Sequence, residues 1–256
     1  MKNVLKSEGV CVFCENTYTK SGIHRHLKKH LEEEQMNHQS GTSYLVKIET
    51  ESSWGKTPYF LSLWVDGNAH MKDLDDFLKK IWLECCGHMS SFTDPKKKIR
   101  RDFGFDFFEA EELLQQGKIT EYEALMEERN GEIPMRRKVK KAFYKGLKLT
   151  YDYDFGSTTS LEINIVEVYK MKAPSGIVLL SRNEALDLKC DCCGKEKATR
   201  ICSRGYYDGH EEELFCDQCA KEHSNTCEHE VSMKVINSPR MGVCAYNGGE
   251  IDIDRD

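Results

Sequence analysis

Near the start of this 256-residue chain, Cys11, Cys14, His26 and His30 are spaced Cys-x2-Cys-x11-His-x3-His. Tetrahedral zinc takes thiolates and neutral imidazoles at about 2.0–2.3 Å. Two cysteines that close fit one tight turn. Two histidines four positions apart share a helix face, about one turn apart. Near the end, Cys190-x2-Cys193 and Cys216-x2-Cys219 make a second set, the pairs separated by 22 residues. His24 is a rival ligand in the first set and Cys192 an alternative thiol in the second. Cys202, Asp208, His210, His223, Cys227 and His229 interleave with the C-terminal pairs. All-thiolate sites are usually structural, because catalytic zinc keeps a water position and commonly three protein ligands. The expected cofactor is therefore Zn2+, two ions, with a third where Cys202, His210, His223 and Cys227 complete a set.

The first constellation resembles the two-Cys two-His zinc finger, with a central spacing one residue shorter than the common twelve. Tyr18 and Ile23 stand where such a finger keeps its small core. A unit of this size cannot fold on apolar burial alone; metal binding, worth about 10–16 kcal/mol apparent in finger peptides, supplies the folding energy. The C-terminal ligand order resembles a B-box-like cross-brace. That arrangement wants a ligand three residues after Cys202, where Gly205 stands, leaving His210 or Asp208 to substitute.

Two further groupings can do chemistry. Asp152 and Asp154 lie two apart in a strand-like stretch, so their carboxylates can face one side and share a divalent cation or a proton. The competing reading is an Asp154-Phe155-Gly156 turn, with Asp154 capping the bend, Phe155 buried and Gly156 at positive φ; this reading is preferred. The second grouping is basic. Arg25, Lys28 and Lys29 lie on the first His-bearing helix. Arg136, Arg137, Lys140 and Lys141 interleave with Phe143, Tyr144 and Tyr151, a mixture that suits a nucleic-acid surface. One finger covers only about 3 bp, so sequence-specific DNA binding is not implied.

The elements that must position these residues are legible in outline. SYLVKIET, TPYFLSLWVD, KLTYDYDF and TSLEINIVEVYKM have strand composition, and Asp66-Gly67 makes a turn. In MKDLDDFLKKIWLECC, Met71, Leu74, Phe77, Leu78, Ile81, Trp82 and Cys85 recur at helical spacing. TEYEALMEERNG reads as a helix with a Thr120/Glu123 capping box, and RRKVKKAFYKG as a short basic helix closed by Gly146. The basic run PKKKIRR and aromatic run FGFDFF suggest no definite element. Gln35–Thr42 reads as a linker. The reading is α+β: a central mixed sheet with packed helices, flanked by two small zinc-stabilised modules. The expected parts are 1–36, 43–182 and 187–256.

The middle segments, above all LTYDYDFGSTTSLEINIVEV, resemble the plasmid pRiA4b ORF-3-like family over about residues 43 to 172. Tyr153, Asp154, Phe155 and Gly156 match that family's hallmark stretch; Ser157 replaces its Asp, and Thr158 to Ser160 lack its Trp and His. The run Ser238, Pro239, Arg240, Met241, Gly242, Val243, Cys244 repeats a tail carried by some members. The resemblance implies an α+β domain and no defined activity.

Net charge is -6 and the sequence pI is about 5.9, which argues against a general nucleic-acid coat. No apolar run is long enough to cross a membrane, and the N-terminal stretch lacks a signal-peptide pattern. A cytoplasmic, reducing location is expected, where twelve cysteines call for metal before disulfides. The functional expectation is a non-catalytic recognition or regulatory protein, with nucleic acid the first-choice partner. A protein-interaction scaffold and a metal-dependent enzyme using Asp152/Asp154 are the alternatives.

Overall fold

The computed structural model describes residues 5–35, 39–50, 58–97, 107–202, 213–228, 231, 233–244 and 246–255. The chain opens with a hairpin, β1 (Glu8–Val10) and β2 (Thr17–Thr19), followed by helix α1 (Ile23–Glu34). β3 (Ser40–Thr50) and β4 (Phe60–Asp66) start the main sheet, and α2 (Met71–Leu78) runs into a single π-helical turn, Lys79–Leu83. β5 (Ser90–Thr93), α3 (Phe107–Gln115), α4 (Ile119–Asn130) and α5 (Val139–Ala142) follow. β6 (Lys148–Tyr153), β7 (Thr159–Met171) and β8 (Ile177–Arg182) complete the sheet. A small C-terminal sheet holds β9 (Arg200–Cys202), β10 (Glu213–Phe215) and β11 (Met233–Lys234), with α6 (Asp217–His223) between the last two.

The main sheet has the order β5-β6-β7-β3-β4-β8. The α+β class is as read. The sheet is not mixed, however: every pairing in it is antiparallel. Each of its connections returns to the sheet by reversing direction, so no parallel neighbours arise.

Both faces of the sheet are covered. Alternation along β4 sends Leu61, Leu63 and Val65 to one face, beneath Met71, Leu74 and Leu78 of α2 and Ile81, Trp82 and Leu83 of the π turn. Phe60 and Trp64 go to the other face, where they meet Ile23, Leu27 and Leu31 of α1. This two-sided demand explains why every residue of β4 is buried. Along β7, Ile163 and Ile165 join the first face while Tyr169 and Met171 join the second. The register shift opposite Leu45/Val46 lets one strand serve both, because one extra residue flips every later side chain.

Several local expectations change. α4 begins after Lys118, so Thr120 sits inside the helix and forms no capping box. The basic helix is only Val139–Ala142, with Gly146 at φ +83 beyond it. The expected linker already pairs as β3 from Ser40. Most of PKKKIRR and all but the end of FGFDFF lie outside the described residues. Among the described residues, no helix is long and apolar enough to cross a membrane.

Candidate metal centres

Hairpin, turn and α1 bring Cys11, Cys14, His26 and His30 together, their ligand atoms within 4.8 Å of one another. His26 Nε2 lies 3.2 Å from Cys14 Sγ and 3.1 Å from His30 Nε2. Tyr18 stacks on His26 at 3.9 Å between ring centroids, which fixes the imidazole against the hairpin. The backbone N–H of Asn16 leads in drawing the Cys14 thiol down to about 6, with His30 and His26 adding to it. Burial pushes Cys11 the other way. His24 is not part of this group. It turns onto the sheet, with Nδ1 3.3 Å from Ser62 Oγ, and burial lowers it to about 4.

In the C-terminal part, Cys190, Cys193, Cys216 and Cys219 form a second four-ligand cluster. The first pair sits on a turn in which Gly194 N–H donates to Cys190 C=O at 2.8 Å, with Gly194 at φ +65. That left-handed position suits glycine. The second pair caps α6: Cys219 N–H donates to Cys216 Sγ at 3.5 Å. Burial works to raise the Cys190 thiol, but the backbone N–H groups of Cys193, Cys216 and Cys192 outweigh it and bring it to about 6. Cys219 is pushed up, chiefly by Cys216 and then by burial.

Cys202, His223 and Cys227 make a three-ligand cluster, with the two sulfurs 3.9 Å apart. His210, Asp208, Gly205 and His229 lie outside the described residues.

A further four-ligand cluster was not read from the sequence: Cys85, Cys86, His88 and Cys244. Cys86 Sγ is 2.9 Å from His88 Nε2, 3.4 Å from Cys244 Sγ and 3.6 Å from Cys85 Sγ. Hydrogen bonding with Cys244 and then with Cys85, followed by burial, pushes the Cys86 thiol up to about 12. The helical spacing of Cys85 reads as one more apolar position. The Cys-Cys-Gly-His run was the available signal, but its fourth partner stands 158 residues away from Cys86. Every cysteine except Cys192 falls into one of the four clusters, and none of the twelve forms a disulfide.

Asp152 and Asp154 are held by different partners. Asp152 accepts from Ser160 Oγ at 2.5 Å, while Asp154 Oδ2 accepts from Arg240 at 2.6 Å. Hydrogen bonding from the Arg240 guanidinium leads in lowering Asp154 to about 2. The turn reading holds in one respect: Gly156 N–H donates to Asp154 Oδ1 at 3.0 Å. Two details differ. Asp154 itself takes the left-handed conformation, at φ 64, and Gly156 does not. Phe155 is 57% exposed where burial was expected.

The basic residues are mostly engaged within the chain. Lys28 meets Glu167 at 2.6 Å, and Arg136 and Arg137 pair with Glu123 and Glu127 of α4. Lys140 donates to Asn68 Oδ1 at 2.7 Å, its stem exposed. Arg25, Lys29 and Lys141 are exposed. Of the second basic segment, the two arginines face the acidic helix that precedes them.

No protein-family profile and no curated protein matches the chain. Among solved structures, the protein of unknown function MM3350 from Methanosarcina mazei Go1 is similar at a TM-score of 0.35 and 16% identity, over 56% of this chain and 68% of that one. A likeness that loose adds nothing to the account of the sites.

Proposed function

We propose that this chain is a zinc-stabilised recognition protein without catalytic chemistry of its own. One observation carries the reading: three of the four Cys/His groups are sets of four protein ligands, and such a closed set leaves no position for water or substrate. Zinc suits thiolates and imidazoles in a tetrahedral arrangement, and a reducing cytoplasm keeps those thiols available. The N-terminal ββα unit is read as a two-Cys two-His finger. The C-terminal part is read as a B-box-like module in which His210 supplies the fourth ligand beside Cys202, His223 and Cys227. The part division at 1–36, 43–182 and 187–256 and the likeness of the central part to the plasmid pRiA4b ORF-3-like family belong to the same reading; the latter rests on the Tyr153–Gly156 stretch.

Nucleic acid is the first partner of the reading, contacted through Arg25 and Lys29 on α1 with Lys140 and Lys141. A protein partner is the second, favoured by two exposed apolar side chains, Met89 at 71% and Phe155 at 57%, on strands' ends joined by the Asp154 N–H to Met89 C=O bond. Gel shifts with random DNA and RNA across a salt series separate the two. Phosphate contact gives affinity that falls steeply with salt. No shift at low salt removes the nucleic-acid form of the proposal.

A further inference from the structure

We propose that Cys85, Cys86, His88 and Cys244 hold a zinc ion that staples the C-terminal tail to the central sheet. This rests on the same view of zinc as a structural element, but on different residues.

The geometry matches a metal cage. Zinc at about 2.3 Å from sulfur and 2.0–2.1 Å from nitrogen sets ligand–ligand edges of roughly 3.4–3.8 Å. Here four of the six edges run from 2.9 Å to the 3.7 Å between Cys244 Sγ and His88 Nε2, and all lie within 4.8 Å. The motif-bearing N-terminal set has edges of 3.1 and 3.2 Å in the same structure. Three sulfurs and one imidazole nitrogen are a donor set that favours zinc over magnesium or calcium.

The surroundings fit the same purpose. Three thiolates and one divalent cation leave one negative charge. The buried Arg240 guanidinium, which also pairs with Asp154, donates toward Cys85 Sγ at 3.5 Å. Metal sites commonly hold their ligands through such outer hydrogen bonds. The π turn ends the α2 segment just before Cys85, and its carbonyls are taken up by the tail. Trp82 C=O accepts from Ser238 Oγ at 2.7 Å, and Lys80 C=O accepts from Glu250 N–H at 2.6 Å. Asn237 bonds Asn183 at the end of β8. The tail thus crosses from β8 to the π turn, and Cys244 lies where that crossing meets the Cys85–His88 loop. An ion there joins two segments that no regular pairing connects.

The test uses the full-length, reduced protein and native mass spectrometry. Cys86→Ser and Cys244→Ser should each lose one zinc relative to wild type, while Cys192→Ser loses none. Cys11→Ser and Cys193→Ser report the motif-bearing sites separately, so those can succeed or fail on their own. Hydrogen exchange should show residues 238–244 opening in Cys244→Ser, with the β3–β7 core still protected. Folded Cys86→Ser and Cys244→Ser proteins with wild-type zinc content overturn the proposal. So does a disulfide among the three thiols in the freshly isolated, non-reduced protein. Should either serine variant fail to fold, Cys86→His keeps a ligand and should restore fold and zinc together; failure of that restoration overturns the proposal as well.

Discussion

The Arg240 guanidinium donates to Asp154 at 2.6 Å across 86 residues of sequence, with its own side chain fully buried. It also donates to Ser157 C=O at 2.8 Å and Thr159 Oγ1 at 3.0 Å, and lies over the Tyr153 ring. The stretch that invites a catalytic reading is thus the socket for an arginine from the tail. Removing one member of a buried ion pair strands the other, at about 3–5 kcal/mol. Arg240→Ala should therefore destabilise the protein by about that much in urea titration. Arg240→Lys should not restore it, since one ammonium cannot span three acceptors held by a planar fork. A wild-type midpoint for Arg240→Ala contradicts this account of the turn.

Two glycines should respond unequally to alanine. A Cβ on Gly9 would stand 2.4 Å from Arg182 C=O and 2.7 Å from the Phe60 ring, where β1 crosses the end of β8. Gly9→Ala should cost about 1–3 kcal/mol, as forced overpacking does. A Cβ on Gly156 meets only Asp154 Oδ1, at 3.4 Å, and φ there is not positive. Gly156→Ala should change the melting temperature little. A larger loss at Gly156 than at Gly9 would reverse this ordering.

Asp75 sets a pH dependence. Asp75 is a buried residue of α2, and its carboxylate accepts from Ser90 Oγ at 2.6 Å and Tyr151 OH at 2.7 Å, with Lys72 and Lys79 at 3.0 and 3.1 Å. Burial works to raise it, but these partners prevail and hold it below the ordinary carboxylate value. A depressed carboxylate stabilises the fold fully above its unfolded value of about 3.9, and that stability is lost as pH falls through the folded value. The melting-temperature gap between wild type and Asp75→Asn should be constant from pH 8 to about 5 and close only below about 4. Metal loss in acid affects both proteins and cancels in the difference. A gap that closes near neutrality would assign the effect to another group.

For nucleic acid, the division of the basic residues predicts a split. Reversing Arg25 and Lys29 to Glu should weaken binding at low salt and flatten the salt slope by up to about 2, one unit per lost phosphate contact. Reversing Arg136 and Arg137, already paired with Glu123 and Glu127, should leave the slope unchanged and lower stability instead. The opposite pattern moves the contact to the α5 side.

Much of this was legible in local pattern. Cys11, Cys14, His26 and His30 lie within one short segment, so their spacing alone reports their meeting. The alternation in SYLVKIET and TSLEINIVEVYKM likewise reports strands, since period 2 is a local property. What escaped is non-local. Cys244 meets Cys86 only because the tail returns to the π turn, and Arg240 meets Asp154 by the same return. His24 and His26 look equivalent in sequence; which one turns to the cluster depends on the sheet beneath α1, where Ser62 receives His24. The short β5, SSFT, and its pairing with β6 carry too little pattern to be found alone. The apolar face of α1 needs the sheet as partner, and nothing within the first 36 residues announces that.

The central claim is that closed Cys/His sets hold zinc and thereby hold this chain together. Elemental analysis with native mass spectrometry of the reduced, full-length protein tests it most directly. Three zinc ions per chain are expected from the three four-ligand clusters, and a fourth where a residue of the 203–212 segment completes Cys202, His223 and Cys227. Fewer than two tightly held zinc ions per folded chain would contradict the account.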